Sequence, residues 1–249
     1  MVFAIIIGFM CSGKCSKTGR VIFLLLCLAV PVSSAQEADD TYSRHRAEMV
    51  RDQIESRGVS NSAVLDAMQK VPRHLFIPEN LRSLAYYDNP LPIGFGQTIS
   101  QPFIVAYMTE TIQPQAGQKI LEIGTGSGYQ AAVLAEIVET VYTIEIIDKL
   151  GEAAVTRLKD LGYENVETRI ADGYYGWEEV APFDAIVVTA AAEYIPPLLI
   201  EQLKDGGRMI IPVGSPFMVQ MLMLVEKKGR EVTTEGLMPV RFVPLRRSR

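Results

Sequence analysis

The sequence predicts an α/β domain built on a mostly parallel sheet with helices on both faces, preceded by a helical and loop-rich extension. Three observations carry this. From Lys119 onward, nearly continuous apolar runs alternate with amphipathic segments, the pattern of strands buried on both faces by intervening helices. The first run, Ile120-Leu121-Glu122-Ile123, breaks into Gly124-Thr125-Gly126-Ser127-Gly128 ahead of a helix-compatible segment at Tyr129. That is the form of a βα turn whose small residues let the backbone and a helix N-terminus approach a ligand. Finally, an acidic residue stands at the end of each of the first three runs: Glu122, Glu145 and Asp172.

In chain order, residues 1–35 read as an export leader. Lys14, Lys17 and Arg20 precede the uninterrupted apolar run Val21 to Val30, and Ser33 and Ala35 supply the small residues of a cleavage site. The run falls short of the roughly 20 residues of a membrane span, so no stable span is expected once the leader is removed. The alternatives are a start at Met10 and a cytoplasmic protein. Gln36 to Asp40 reads as a polar spacer. Tyr42 to Arg57 has helical spacing and stops at Gly58, and Asn61 caps a second helix that ends before Pro72. A loop-rich stretch follows. Ser100, ahead of Gln101-Pro102, suits the cap of a helix running from Phe103 to Ile112.

The expected strands are then Lys119–Ile123, Val141–Ile144, Val166–Ile170, Ala185–Val188 and Arg208–Val213, with helices at Tyr129–Val138, Lys149–Leu161 and Pro197–Leu203. Gln220 to Val225 and Val232 to Leu237 read as a closing hairpin, with Met218, Met221 and Met223 facing the core. This organises 36–249 as one domain, 42–115 forming the extension and 116–249 the α/β core.

All three cysteines, Cys11, Cys15 and Cys27, lie within the leader, and His45 and His74 are the two histidines. Disulfides and a metal site are therefore not expected in the remainder. His74, in an apolar stretch, reads as a packed residue. The formal net charge of −5 argues against a surface made for nucleic-acid phosphates.

In a sheet of this type a ligand lies across the carboxyl ends of the strands. Glu122 would sit beside the glycine loop, Glu145 where a carboxylate accepts ribose hydroxyls, and Asp172-Gly173 where one accepts an adenine amino group. Each has a plainer alternative: a turn acceptor, a solvated strand end, a tight turn. Tyr129 occupies the position where a dinucleotide fingerprint needs glycine. What remains, acidic-x-Gly-x-Gly-x-Gly through Gly124, Gly126 and Gly128, is the first motif of S-adenosylmethionine-dependent methyltransferases.

The segment Leu91-Pro92-Ile93-Gly94-Phe95-Gly96-Gln97-Thr98-Ile99-Ser100-Gln101-Pro102 makes the resemblance specific. It is similar to the protein-L-isoaspartate O-methyltransferase family, as are Val71 to Pro78, Leu121 to Gly128, Asp172-Gly173, Val188-Thr189-Ala190-Ala191 and Val240 to Leu245. Residues 1–40 have no counterpart in that pattern. The resemblance implies a Rossmann-like class I methyltransferase fold and S-adenosyl-L-methionine as cofactor. It implies as substrates damaged proteins carrying isoaspartyl, and also D-aspartyl, residues. It further implies that Ser100 is the active-site serine, that Gln97, Thr98 and Ile99 form the loop beside it, and that this loop contacts the cofactor together with Glu122, Gly124, Gly126, Gly128, Glu145, Asp172 and Gly173. A monomer is expected. The alternatives are a same-fold methyltransferase acting on a small molecule and a non-catalytic nucleoside-binding module.

Overall fold

The computed structural model describes residues 34–215 and 217–248; nearly all of the leader reading lies outside them. Helix α1 (Ser34–Glu48) takes in the stretch expected to be a polar spacer and runs on through a π-helical turn, Met49–Ile54. The path ends at Gly58 (φ 98°), whose left-handed backbone stops the helix as the sequence predicts. Helix α2 (Ser62–Lys70) starts at Asn61, whose side-chain oxygen accepts from the N–H groups of Ala63 and Val64. Two short 3₁₀ turns lead to the hairpin β1 (Leu91–Gly94) and β2 (Gln97–Ile99). Helix α3 (Pro102–Thr111) follows. Its cap position is Gln101 and not Ser100, one residue later than expected.

The core alternates as predicted: β3 (Lys119–Ile123), α4 (Tyr129–Ala135), β4 (Thr140–Glu145), α5 (Asp148–Asp160), β5 (Val166–Ile170), β6 (Phe183–Val188), α6 (Pro197–Glu201) and β7 (Leu203–Val213). β8 (Gln220–Lys228) and β9 (Glu231–Val240) complete a seven-stranded sheet of order β5-β4-β3-β6-β7-β8-β9. Strands β3 to β7 pair in parallel, and the last two pair antiparallel as the expected hairpin.

The period of two along a strand divides the core. Ile120, Ala185 and Val187 join a cluster with Met49, Ile54, Met68, Phe76 and Met108 of the N-terminal extension. Leu121, Ile123, Ile186 and Val188 point the other way, onto a cluster with Leu199 of α6 and with Leu203 and Met209 of β7. The extension is thus a layer of the core, and it carries β1, β2 and α3 to the carboxyl edge of the sheet. Among the described residues, no helix is long and apolar enough to cross a membrane.

Candidate active site

Parallel strands end on one edge, and the glycine loop forms where β3 ends. Its Gly124 and Thr125 N–H groups donate to the Ile144 carbonyl at the end of β4. Gly124 has φ 99°, and a Cβ there would stand 2.5 Å from the Thr189 hydroxyl, so no other residue fits without movement. That hydroxyl donates to the Ile123 and Gly124 carbonyls, fixing the loop from the end of β6. The Gly126 N–H donates to Glu145 Oε2 at 2.8 Å, and the Ile146 and Ile147 N–H groups donate to Oε1 at 3.0 Å. A carboxylate offers about four acceptor sites; with three taken, Glu145 keeps capacity for one more donor. Gln97, Thr98, Gly124, Gly126, Glu145 and Gly173 share a cavity of about 50 Å³ here.

The other residues singled out in the sequence lie around this cavity rather than on it. Gly128 (φ 88°) caps α4, where a Cβ would meet Leu158 of α5 at 3.2 Å; it permits close helix packing. Glu122 is fully buried one layer down. It accepts a short hydrogen bond from the Thr143 hydroxyl through Oε2, while Oε1 has no partner. Burial, foremost, raises its pKa to about 8, with Glu145 adding to the shift and Thr143 opposing it. Glu122 lines a second small cavity together with Ile99, Ser100, Thr125 and Gln130.

Asp172 follows β5 as expected, but both its oxygens are engaged. Oδ1 accepts from the Tyr174 N–H, and Oδ2 accepts from Arg247 Nε, the Ser248 N–H and the Ser248 hydroxyl at 2.9–3.0 Å. Burial opposes its ionisation, yet the N–H groups of Ser248 and Tyr174, with Arg247 and the Ser248 hydroxyl, outweigh it and lower the pKa. The Arg247 guanidinium lies 3.5 Å above the Tyr174 ring. The chain's own tail therefore occupies the acceptor assigned to adenine, and Val243 to Arg246 wall the adjoining cavity.

Beside the glycine-loop cavity is a larger one of about 480 Å³, within the usual ~300–1,000 Å³ of ligand sites. Ser100 lines it with Arg57, Gln101, Thr189 and the stretch from Met238 to Val243, apolar apart from Arg241. The two cavities share Thr98, Thr189 and Val243. Arg57, Asp88, Thr189 and the tail were not singled out as site residues from the sequence. Thr189 and Val243 lay within segments already quoted, whereas Arg57 and Asp88 carry no local signal. His74 packs as expected, stacked on Tyr42 with Nδ1 2.7 Å from the Tyr86 hydroxyl.

The residues present fit a sulfonium nucleoside: a turn that a Cβ would fill at Gly124, and an acidic acceptor with spare capacity at Glu145. Comparison with known proteins agrees. The sequence profile described as Protein-L-isoaspartate(D-aspartate) O-methyltransferase matches residues 44–249. The chain is 60% identical over 220 residues to Protein-L-isoaspartate O-methyltransferase 1 of Nitrosospira multiformis, covering 87% of this chain and 91% of that protein. It is 54% identical over 231 residues to the Opitutus terrae Protein-L-isoaspartate O-methyltransferase, covering 92% and 99%. A Plasmodium falciparum structure, described as a putative protein-L-isoaspartate O-methyltransferase in complex with S-adenosyl-L-homocysteine, superposes with a TM-score of 0.69 at 25% identity, covering 81% of this chain and 98% of that one. The chain belongs to the protein-L-isoaspartate (D-aspartate) O-methyltransferase family.

Proposed function

We propose that this protein moves a methyl group from S-adenosyl-L-methionine to the free carboxylate of isoaspartyl residues, and of D-aspartyl residues, in damaged proteins. The ester then closes to a succinimide, which opens in part to normal aspartate. The observation that carries the reading is the shared wall: the glycine-loop cavity and the larger cavity meet at Thr98, Thr189 and Val243, with Ser100 on the larger side. A nucleoside pocket is thereby set against a space of peptide-residue size.

When bound, the cofactor supplies a methyl group on a cationic sulfur; the remaining demands fall on the chain. The acceptor carboxylate has a reference pKa near ~4 and is ionised at neutral pH, so no general base is needed to prepare it. Among the described residues, those lining the two cavities include neither histidine nor cysteine. Glu145 and the Gly124–Gly126 backbone would hold the nucleoside. Ser100 would hold the acceptor oxygen, by its hydroxyl or its N–H. Alignment and exclusion of water then supply the rate enhancement, because opposite charges cancel as the methyl moves.

Residues 36–249 incubated with methyl-labelled cofactor and matched peptides should label the isoaspartyl peptide and spare its aspartyl twin. Equal labelling of both peptides would end the repair assignment. Support for export rests on the basic segment and the apolar run Val21 to Val30. Amino-terminal sequencing of protein recovered from its cell should begin at Gln36; a start at Met1 or Met10 would rule cleavage out.

A further inference from the structure

Ser100 is free to meet a substrate because another residue does the capping expected of it. In the first turn of α3 Pro102 has no N–H, and the N–H of Phe103, the next along, has no acceptor within the helix. Its acceptor is Asp88 Oδ1 at 3.1 Å, from a loop 15 residues back in the chain. Asp88 Oδ2 accepts from the Gln101 side chain and pairs with Arg57 at 2.6 Å. The Arg57 guanidinium in turn lies 3.4 Å over the Phe103 ring. One carboxylate thus ties together Gln101 of the Ser100-Gln101-Pro102 corner, Phe103 just after it and an arginine of the large cavity wall.

The loop bearing Asp88 is itself anchored. Fully buried Arg73 donates to the Ala85 carbonyl at 2.8 Å and the Asn89 carbonyl at 3.4 Å, one on each side of Asp88. Among the described residues the Ser100 hydroxyl makes no hydrogen bond within the chain. We propose that Asp88 is a positioning residue for methyl transfer: it caps α3 from outside the helix, leaves the Ser100 hydroxyl unspent, and aims Arg57 along the peptide cavity. None of Asp88, Arg57, Gln101 or Phe103 lines the glycine-loop cavity, so the effect should be confined to the substrate side.

This rests on Ser100 being a substrate contact, and the test separates the two ideas. Asp88→Asn, Asp88→Ala, Ser100→Ala and the Asp88→Ala/Ser100→Ala double variant are compared. Readouts are kcat/KM on an isoaspartyl peptide, the Kd for S-adenosylhomocysteine and the thermal midpoint. Asp88→Ala should lose about tenfold to a hundredfold in kcat/KM, the range for a hydrogen bond to a charged acceptor. Asp88→Asn should fall between it and the parent, because an amide oxygen still caps Phe103 but no longer pairs with Arg57. The nucleoside Kd should stay within about twofold, and the double variant within about twofold of Ser100→Ala, as expected of residues acting through one another. If Ser100→Ala is fully active, the Ser100 reading fails. If Ser100→Ala is impaired and the double variant shows the product of the two losses, or if the nucleoside Kd weakens in step with kcat/KM, the Asp88 proposal fails alone. Should Asp88→Ala not fold, Asp88→Asn with Ser100→Ala closes the same cycle.

Discussion

Glu122 has no exposed surface, and removal of its carboxyl from water is the main reason its pKa rises to about 8. In the unfolded chain the same group titrates near its ordinary ~4.3. Between those values the folded state keeps a proton that the unfolded state has released, so stability falls as pH rises through the window and levels off above the folded pKa. Glu122→Gln keeps an oxygen for Thr143 and carries no charge. Its thermal midpoint should therefore decline less than the parent's between pH 6 and 9; parallel curves would mean that Glu122 is ionised where it stands. For chemistry, a largely uncharged Glu122 adds little repulsion toward an incoming carboxylate, consistent with its place beside Ser100 and Thr125.

The glycine loop shows how one element divides two tasks among similar residues. Gly124 touches the Thr189 hydroxyl and lines the cavity, whereas Gly128 faces Leu158 and does not. Both have positive φ, where a Cβ costs about 1–2 kcal/mol. Gly128→Ala should lower stability by about that amount in denaturant titrations while folded protein keeps its S-adenosylhomocysteine affinity. Gly124→Ala should lose that affinity as well. Equal binding losses from both would place Gly128 on the ligand. The hairpin teaches a related lesson. Leu222 and Val225 are buried, yet Met218 is 69% exposed beside Phe217 at 92%, because the β7–β8 turn extends to Val219 before pairing begins. Met221, inside β8, is still 42% exposed, and of the three methionines expected to face the core only Met223 packs against it, partly buried.

At the scale of the whole molecule, the tail is part of the site. Val243 to Arg246 wall the glycine-loop cavity, and Arg247 and Ser248 hold Asp172. For Asp172 to accept an adenine amino group, Arg247 and Ser248 must release it, and an intramolecular competitor lowers apparent affinity in proportion to the fraction of open molecules. Deleting residues 247–249 should tighten S-adenosylhomocysteine binding severalfold in calorimetry. Raising salt should tighten binding to the full chain alone, since the Arg247–Asp172 pair is partly exposed and screened. Unchanged or weaker binding after truncation would instead make the tail a wall of the adenine site.

What sequence alone determined is local: the strand and helix periods, the Gly58 stop, the Asn61 cap, the glycine turn and the acidic strand ends all depend on residues within a few positions of one another. The family pattern also singled out Gln97 to Ser100, and the fold brings Gln97 and Thr98 to the glycine-loop cavity and Ser100 to the larger one. Tertiary structure decided the rest. Asp88 caps a helix 15 residues on, Thr189 fixes a loop 65 residues back, and Ser248 bonds Asp172 across 76 residues. Those partners meet only because β6 pairs beside β3 and the tail returns over the carboxyl edge. Contacts between distant segments depend on how the sheet is ordered, and no local period or motif encodes that.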